Sequence, residues 1–239
     1  MDIEVPLLQT YVDGLDRALG GGIPRGSTVL VAGTPGTMKT SLILWMMHEN
    51  ARLNGVKSLY VSLEQDMDSL KAGASRMGMK NLHESSVYIL DMGQLRRGLA
   101  RSESSKDWFT ILYEIIKEAV SASGYGVLAL DSLEALYALS EIKTPRREMF
   151  HFLSSIKELG LTTFLIAEQP FGSTRLAQWG EDFLADGILN LRQVEVGETD
   201  VQLRLRCIKM RWMNHDHNAL ALNHDGQKFF VTHVISKKK

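Results

Sequence analysis

The sequence predicts an α/β fold built on a doubly wound, mostly parallel sheet, with antiparallel strands added at a C-terminal edge. Three observations carry this. Short apolar, β-branched runs alternate with helical patterns through most of the chain, as in parallel strands joined by crossover helices. The first run ends in a glycine-rich turn that leads straight into a helix. Beyond Asp186 the runs Gly187–Arg192, Val201–Met210 and Lys228–Val234 have no long helix between them, so antiparallel pairing is expected.

Each element follows from its local pattern. Ser27–Gly33 is an apolar run closed by glycine, as in a buried strand. Over Thr40–Asn54, Leu42, Ile43, Leu44, Trp45, Met46, Met47 and Leu53 make a strongly buried helix, ended by Asn54-Gly55. Ser58–Leu63 reads as a second strand, and Asp66 suits the N-cap of the next helix. Val87–Leu90 is a third short strand. Asp107 caps an amphipathic helix through Val120, with Phe109, Leu112, Ile115, Ile116 and Ala119 on one face. Val127–Leu130 is a strand, Pro145–Leu159 a helix and Thr162–Ala167 another strand. No internal repeat, low-complexity block or long linker interrupts the chain, so one domain over residues 1–239 is expected.

Composition narrows the function classes. With 239 residues, 44% hydrophobic and 23% charged, the chain has the make-up of a globular protein able to bury a sizeable core. A formal net charge of −1 supplies no global field towards nucleic acid or anionic membrane. Cys207 is the sole cysteine, which excludes an internal disulfide and suits a reducing compartment. Met1-Asp2-Ile3-Glu4 has neither the basic nor the apolar region of a secretion signal. No apolar run approaches the roughly 20 residues of a membrane span. A cytoplasmic location is the expectation.

The first strand runs into Gly33-Thr34-Pro35-Gly36-Thr37-Met38-Lys39-Thr40. The spacing is that of a phosphate-binding loop: backbone N–H groups converge on phosphate oxygens, a lysine reaches the β- and γ-phosphates, and a hydroxyl holds Mg²⁺. A helix N-terminus at the same point adds a favourable dipole. Lys39 and Thr40 fill the side-chain roles. Met38 stands where the pattern has glycine; its side chain is expected to crowd the loop or strain its backbone, although its N–H survives.

In doubly wound sheets, ligands sit at the carboxyl ends of the strands. Asp131 ends the run Gly126–Leu130, as does the aspartate that holds Mg²⁺ in such proteins. Glu64 ends Tyr60–Leu63 and is the candidate to orient or deprotonate an attacking water. Gln169, after Glu168, ends Phe164–Ala167 and is the candidate sensor of the γ-phosphate. Each also fits a plain helix N-cap or strand end.

Four further stretches carry a family likeness: Gly14-Leu15-Asp16-Arg17-Ala18-Leu19-Gly20-Gly21-Gly22-Ile23-Pro24-Arg25-Gly26 before the loop, Asp182-Phe183-Leu184-Ala185-Asp186-Gly187, Lys209-Met210-Arg211, and His215 shortly after. In these and in the loop, the chain resembles the KaiC/RadA branch of the RecA superfamily over nearly its whole length. The resemblance implies a RecA-like ATPase using ATP and Mg²⁺. It implies a homo-oligomer, either a ring with six subunits as the expected number or a filament, with ATP at the interface. It makes Glu64 the base, and has Lys209 and Arg211 reach across to a neighbour's γ-phosphate. Relatives have two adjacent glutamates after the second strand, whereas here Glu64 is followed by Gln65. Lys209 and Arg211 alternate with Ile208 and Met210, so both share one strand face; a solvated basic edge that discourages edge pairing is the competing reading.

Three functions follow. The first is an ATPase that couples slow hydrolysis to assembly or signalling. The second is a regulatory module that reads ATP occupancy without turnover, motivated by Met38 and Gln65. The third is a recombination accessory protein binding single-stranded DNA, for which Phe171–Gly180 offers only Arg175 with Phe171 and Trp179; a groove that tracks a nucleic-acid backbone needs several positive charges. Arg96-Arg97, Arg146-Arg147 and Lys237-Lys238-Lys239 read as solvated charges. His215-Asp216-His217, with His224, reads as a polar hairpin loop in preference to a metal site.

Overall fold

The computed structural model describes residues 5–82, 86–94, 107–140 and 142–234. Met1–Glu4, Arg96, Arg97 and Lys237–Lys239 lie outside them. Near the N-terminus β1 (Leu7–Leu8) and β2 (Ile23–Pro24) form an antiparallel pair flanking α1 (Leu15–Ala18). The main sheet contains β3 (Thr28–Gly33), β4 (Ser58–Ser62), β5 (Val87–Asp91), β6 (Val127–Asp131), β7 (Thr162–Glu168), β8 (Gly187–Val196), β9 (Asp200–Met210), β10 (Leu220–His224) and β11 (Phe229–His233). Between the strands run α2 (Lys39–Asn54), α3 (Met67–Arg76), α4 (Trp108–Ser123), α5 (Leu133–Leu139), α6 (Pro145–Glu158) and α7 (Glu181–Leu184).

The strand order is β11-β10-β9-β8-β3-β7-β6-β4-β5. From β8 to β5 all neighbours are parallel, while β9, β10 and β11 continue the sheet antiparallel. The expected architecture is present, with one correction at the edge. The segment expected as a polar hairpin loop contains β10, which separates β9 from β11. Leu220, Ala221 and Leu222 are buried there, so the run Leu220–His224 is an amphipathic strand whose last two positions alone are polar.

Strand parity builds two cores. Val29, Val31, Tyr60, Val127, Ala129, Phe164 and Ile166 pack on one face beneath α2 and α3. Leu30, Ala32, Leu59, Val61, Leu128, Leu130 and Leu165 pack on the other beneath α4, α5 and α6. Strands apolar on both faces are what a covered parallel sheet requires. The caps follow the sequence: Asp66 accepts from the Ser69 N–H at 2.8 Å and Asp107 from the Phe109 N–H at 3.1 Å. In the glycine-rich segment ahead of β3, a side chain at Gly22 would meet the Leu8 carbonyl oxygen at 2.8 Å, and φ there is +140°. Only glycine fits. Among the described residues no helix is long and apolar enough to cross a membrane.

Candidate active site

The carboxyl ends of β3, β4, β6 and β7 come together along one rim of the sheet, with Gly33 beside Glu168 and Ser62 beside Asp131. The turn after β3 is tightly built. A Cβ on Gly33 would lie 2.6 Å from the Leu191 carbonyl oxygen and 2.7 Å from Thr37 Oγ1, so the position demands glycine. Thr37 is fully buried and donates to the Thr34 carbonyl at 2.7 Å. Lys39 opens α2, is buried, and folds back so that Nζ donates to the carbonyls of Gly33 (2.9 Å) and Thr34 (3.1 Å). Burial lowers its pKa, opposed by Glu168, Asp131, Glu134 and Glu64.

Met38 takes the backbone conformation that its place in the loop requires, φ 62° and ψ 24°, and the residue is 41% exposed. Of the two expectations, strain is therefore met and crowding is not. A left-handed non-glycine residue costs about 1–2 kcal/mol, and glycine loses about 0.4–1 kcal/mol of that relief to greater unfolded-chain freedom. Met38→Gly is expected to change unfolding stability by no more than about 1 kcal/mol, read by denaturant titration. A larger loss would show that the methionine side chain supports the turn.

Beside this turn the Thr40 hydroxyl donates to Asp131 Oδ2 at 2.7 Å, and the phenol of the fully buried Tyr60 donates to the same oxygen. Burial raises the Asp131 pKa, opposed by these two hydrogen bonds. Glu64 Oε1 accepts from Ser132 Oγ at 2.7 Å. Lys39, Thr40, Glu64, Gln65, Asp131 and Glu168 line one cavity of about 280 Å³ together with the turn. Thr40 and Asp131 thus present adjoining hard oxygens, while no cluster of three or more His, Cys, Asp or Glu ligands occurs among the described residues. That donor set fits Mg²⁺, which keeps waters and phosphate oxygens in most of its positions and needs only one or two protein ligands.

The Gln169 side chain is buried, donating to the Ser173 carbonyl at 2.7 Å and accepting from Asn190 Nδ2 at 3.1 Å. Glu168, one residue earlier, lines the cavity of the lysine turn, and both residues line a neighbouring cavity of about 670 Å³ together with Pro35 and Glu134. Lys209 and Arg211 do share one side, as expected, but at the other end of the sheet. Met210 pairs with Gly187, which sits beside Val29 near the start of β3. There Lys209 Nζ donates to the Ala185 carbonyl at 2.6 Å, and Arg211 meets Asp186 at 3.0 Å. A further cavity of about 560 Å³ opens beside the turn, lined by Met38, Val196, Val201, Leu222, Asn223 and His224 among others.

Tyr60, Ser132 and Glu134 escaped the sequence reading. Glu134 Oε2 accepts from the Glu168 N–H at 2.9 Å, and burial pushes its pKa up to about 7. A phenol inside an apolar strand was the one legible signal, since a buried tyrosine hydroxyl needs a partner.

A family model described as KaiC ATPase matches residues 8–226. The circadian clock oscillator protein KaiC of Parasynechococcus marenigrum is 27% identical over 218 residues, which cover 89% of this chain and 42% of that protein. KaiC 1 of Synechocystis is 25% identical over 233 residues, covering 95% and 44%. The chain spans about two fifths of the length of these curated relatives. Among solved structures, a KaiC-like protein from Pyrococcus horikoshii OT3 matches with a TM-score of 0.80 at 22% identity, covering 96% of this chain and 100% of that one.

Proposed function

The chain belongs to the KaiC ATPase family, and from that premise we propose that it holds ATP and Mg²⁺ between neighbouring copies of itself and hydrolyses the nucleotide slowly, in step with assembly or signalling. The observation that supports this best is the convergence of Lys39, Thr40, Asp131 and Glu64 on one cavity.

In this reading the first-turn amides of α2 donate to the phosphates, with Met38 offering no capping side chain to compete. Lys39 exchanges the Gly33 and Thr34 carbonyls for β- and γ-phosphate oxygens. Thr40 and Asp131 would hold Mg²⁺, which would supply positive charge against the phosphates. Tyr60 fixes the carboxylate through its hydrogen bond. Glu64, oriented by Ser132, takes a proton from the attacking water. The nucleoside extends into the cavity beside Met38. Lys209 and Arg211, far from their own chain's turn, act on the neighbour's γ-phosphate.

A second reading, nucleotide sensing without turnover, is favoured by the left-handed Met38 and by Gln65 in the cavity wall. Light scattering with and without ATP-Mg²⁺, run beside a phosphate-release assay, separates the two. Assembly on ATP-Mg²⁺, with release that rises with protein concentration, is the expected result. Assembly with no release at high protein concentration selects the sensing module, and neither assembly nor release contradicts both.

A further inference from the structure

We propose that Trp212 of one copy packs over Met38 of the next, walling the outer side of that copy's nucleotide cavity. The inference rests on the reading above, in which Lys209 and Arg211 of one copy act on the next copy's γ-phosphate, so that copies meet head to tail. Among the described residues, Tyr11, Met38, Asn81 and Trp212 are the non-glycine residues with positive φ. Tyr11 accepts from Trp45 through its carbonyl and from Asn54 through its phenol, and asparagine tolerates this conformation. Met38 takes it as part of the lysine turn, and Trp212 as the third residue of a turn closed by the Met213 N–H on the Met210 carbonyl at 3.3 Å. These last two are apolar, and Trp212 is 97% exposed with φ 64°. The turn sets the backbone but gives the indole, wholly in water, nothing to pack on within one copy.

The fold keeps the two apart within one copy. Trp212 follows β9 at the level where β3 begins, whereas Met38 lies beyond the far end of β3. Four residues of strand separate Val29 from Gly33, roughly 13 Å at 3.3 Å per residue. Across a head-to-tail interface the same separation brings them together. Trp212 is the residue after Arg211, so wherever Lys209 and Arg211 reach a neighbour's phosphates, Trp212 arrives with them. The receiving side suits it. The cavity beside Met38 carries Val196 and Val201, 40% and 63% exposed, above the buried Leu222. Asp200 at its rim, with Glu64 and Glu168 around the turn, opposes the charge of Lys209 and Arg211. A thioether against an indole is a favourable pairing, and an indole excludes water from phosphates at little conformational loss.

The test uses tryptophan emission and assembly together. Trp45, Trp108 and Trp179 remain in Trp212→Gly, so the difference from the parent reports Trp212. On adding ATPγS-Mg²⁺, the parent is expected to show a blue shift and reduced acrylamide quenching that Trp212→Gly lacks. Each of Trp212→Gly and Met38→Gly is expected to raise the protein concentration for half-assembly about tenfold, and the double variant no further than either alone. Both variants are expected to stay folded at the assay temperature, Met38→Gly with the small stability change given above. Assembled parent whose Trp212 stays fully quenchable, or single effects that multiply, overturns the contact while leaving the interface reading intact. Failure to assemble at all, or phosphate release indifferent to Arg211→Ala, overturns the interface reading and this inference with it.

Discussion

Glu64→Gln is expected to lower phosphate release by about 10²–10⁴-fold while leaving ATP affinity within a few-fold of the parent. The substitution keeps size and keeps an oxygen able to accept from Ser132, so the contact at 2.7 Å survives and the cavity wall stays in place. Only the capacity to take a proton is lost. Glu64 belongs to neither the lysine turn nor the Thr40–Asp131 pair, so binding and chemistry separate at this residue. Release at the parental rate would contradict its assignment as base, and would leave Glu168 as the carboxylate in that cavity besides Asp131.

Arg211→Ala is expected to cost about 10³–10⁵ in rate if its guanidinium serves a neighbour's γ-phosphate. The fold should tolerate the change, because Asp186 retains Lys157 at 2.9 Å and the Arg211 side chain is 45% exposed, where ion pairs contribute little. Mixing makes the prediction sharper. Arg211→Ala copies keep Glu64, and Glu64→Gln copies keep Arg211. In a heterologous assembly of equal parts, about a quarter of the interfaces combine an intact base with an intact arginine. Activity should therefore reappear on mixing two inactive variants, approaching a quarter of the parental rate. An unchanged rate in Arg211→Ala, or mixing without recovery, would leave the arginine as a structural partner of Asp186.

Much of this arrangement was legible in the chain because its signals are local. A strand buried on both faces is apolar at every position, so Val127–Leu130 and Phe164–Ala167 declare themselves without knowledge of their neighbours. The lysine turn is a contiguous motif, and Asp131 follows its strand directly. What stayed hidden depends on distance along the chain. Tyr60 and Asp131 are 71 residues apart and meet only because β4 lies beside β6. Glu134 reaches Glu168 across 34 residues through the packing of α5 on β7. Which of Glu168 and Gln169 enters the cavity of the lysine turn depends on the Asn190 contact that holds Gln169 from 21 residues away. Leu220–His224 was hidden for another reason: five residues between histidines and an Asp-Gly turn are too few for a period to emerge. The separation of Lys209 and Arg211 from their own nucleotide turn needed the register of β9 on β8.

Every proposed step needs the turn around Lys39 to wrap a triphosphate although Met38 stands in the place of glycine. Calorimetric titration of ATP-Mg²⁺ into the parent and into Lys39→Ala measures this directly. Saturable binding to the parent, weakened at least about a hundredfold by the loss of the ammonium and its charged hydrogen bonds, is the predicted result. No binding at millimolar ATP, or equal affinity in the two proteins, would contradict it.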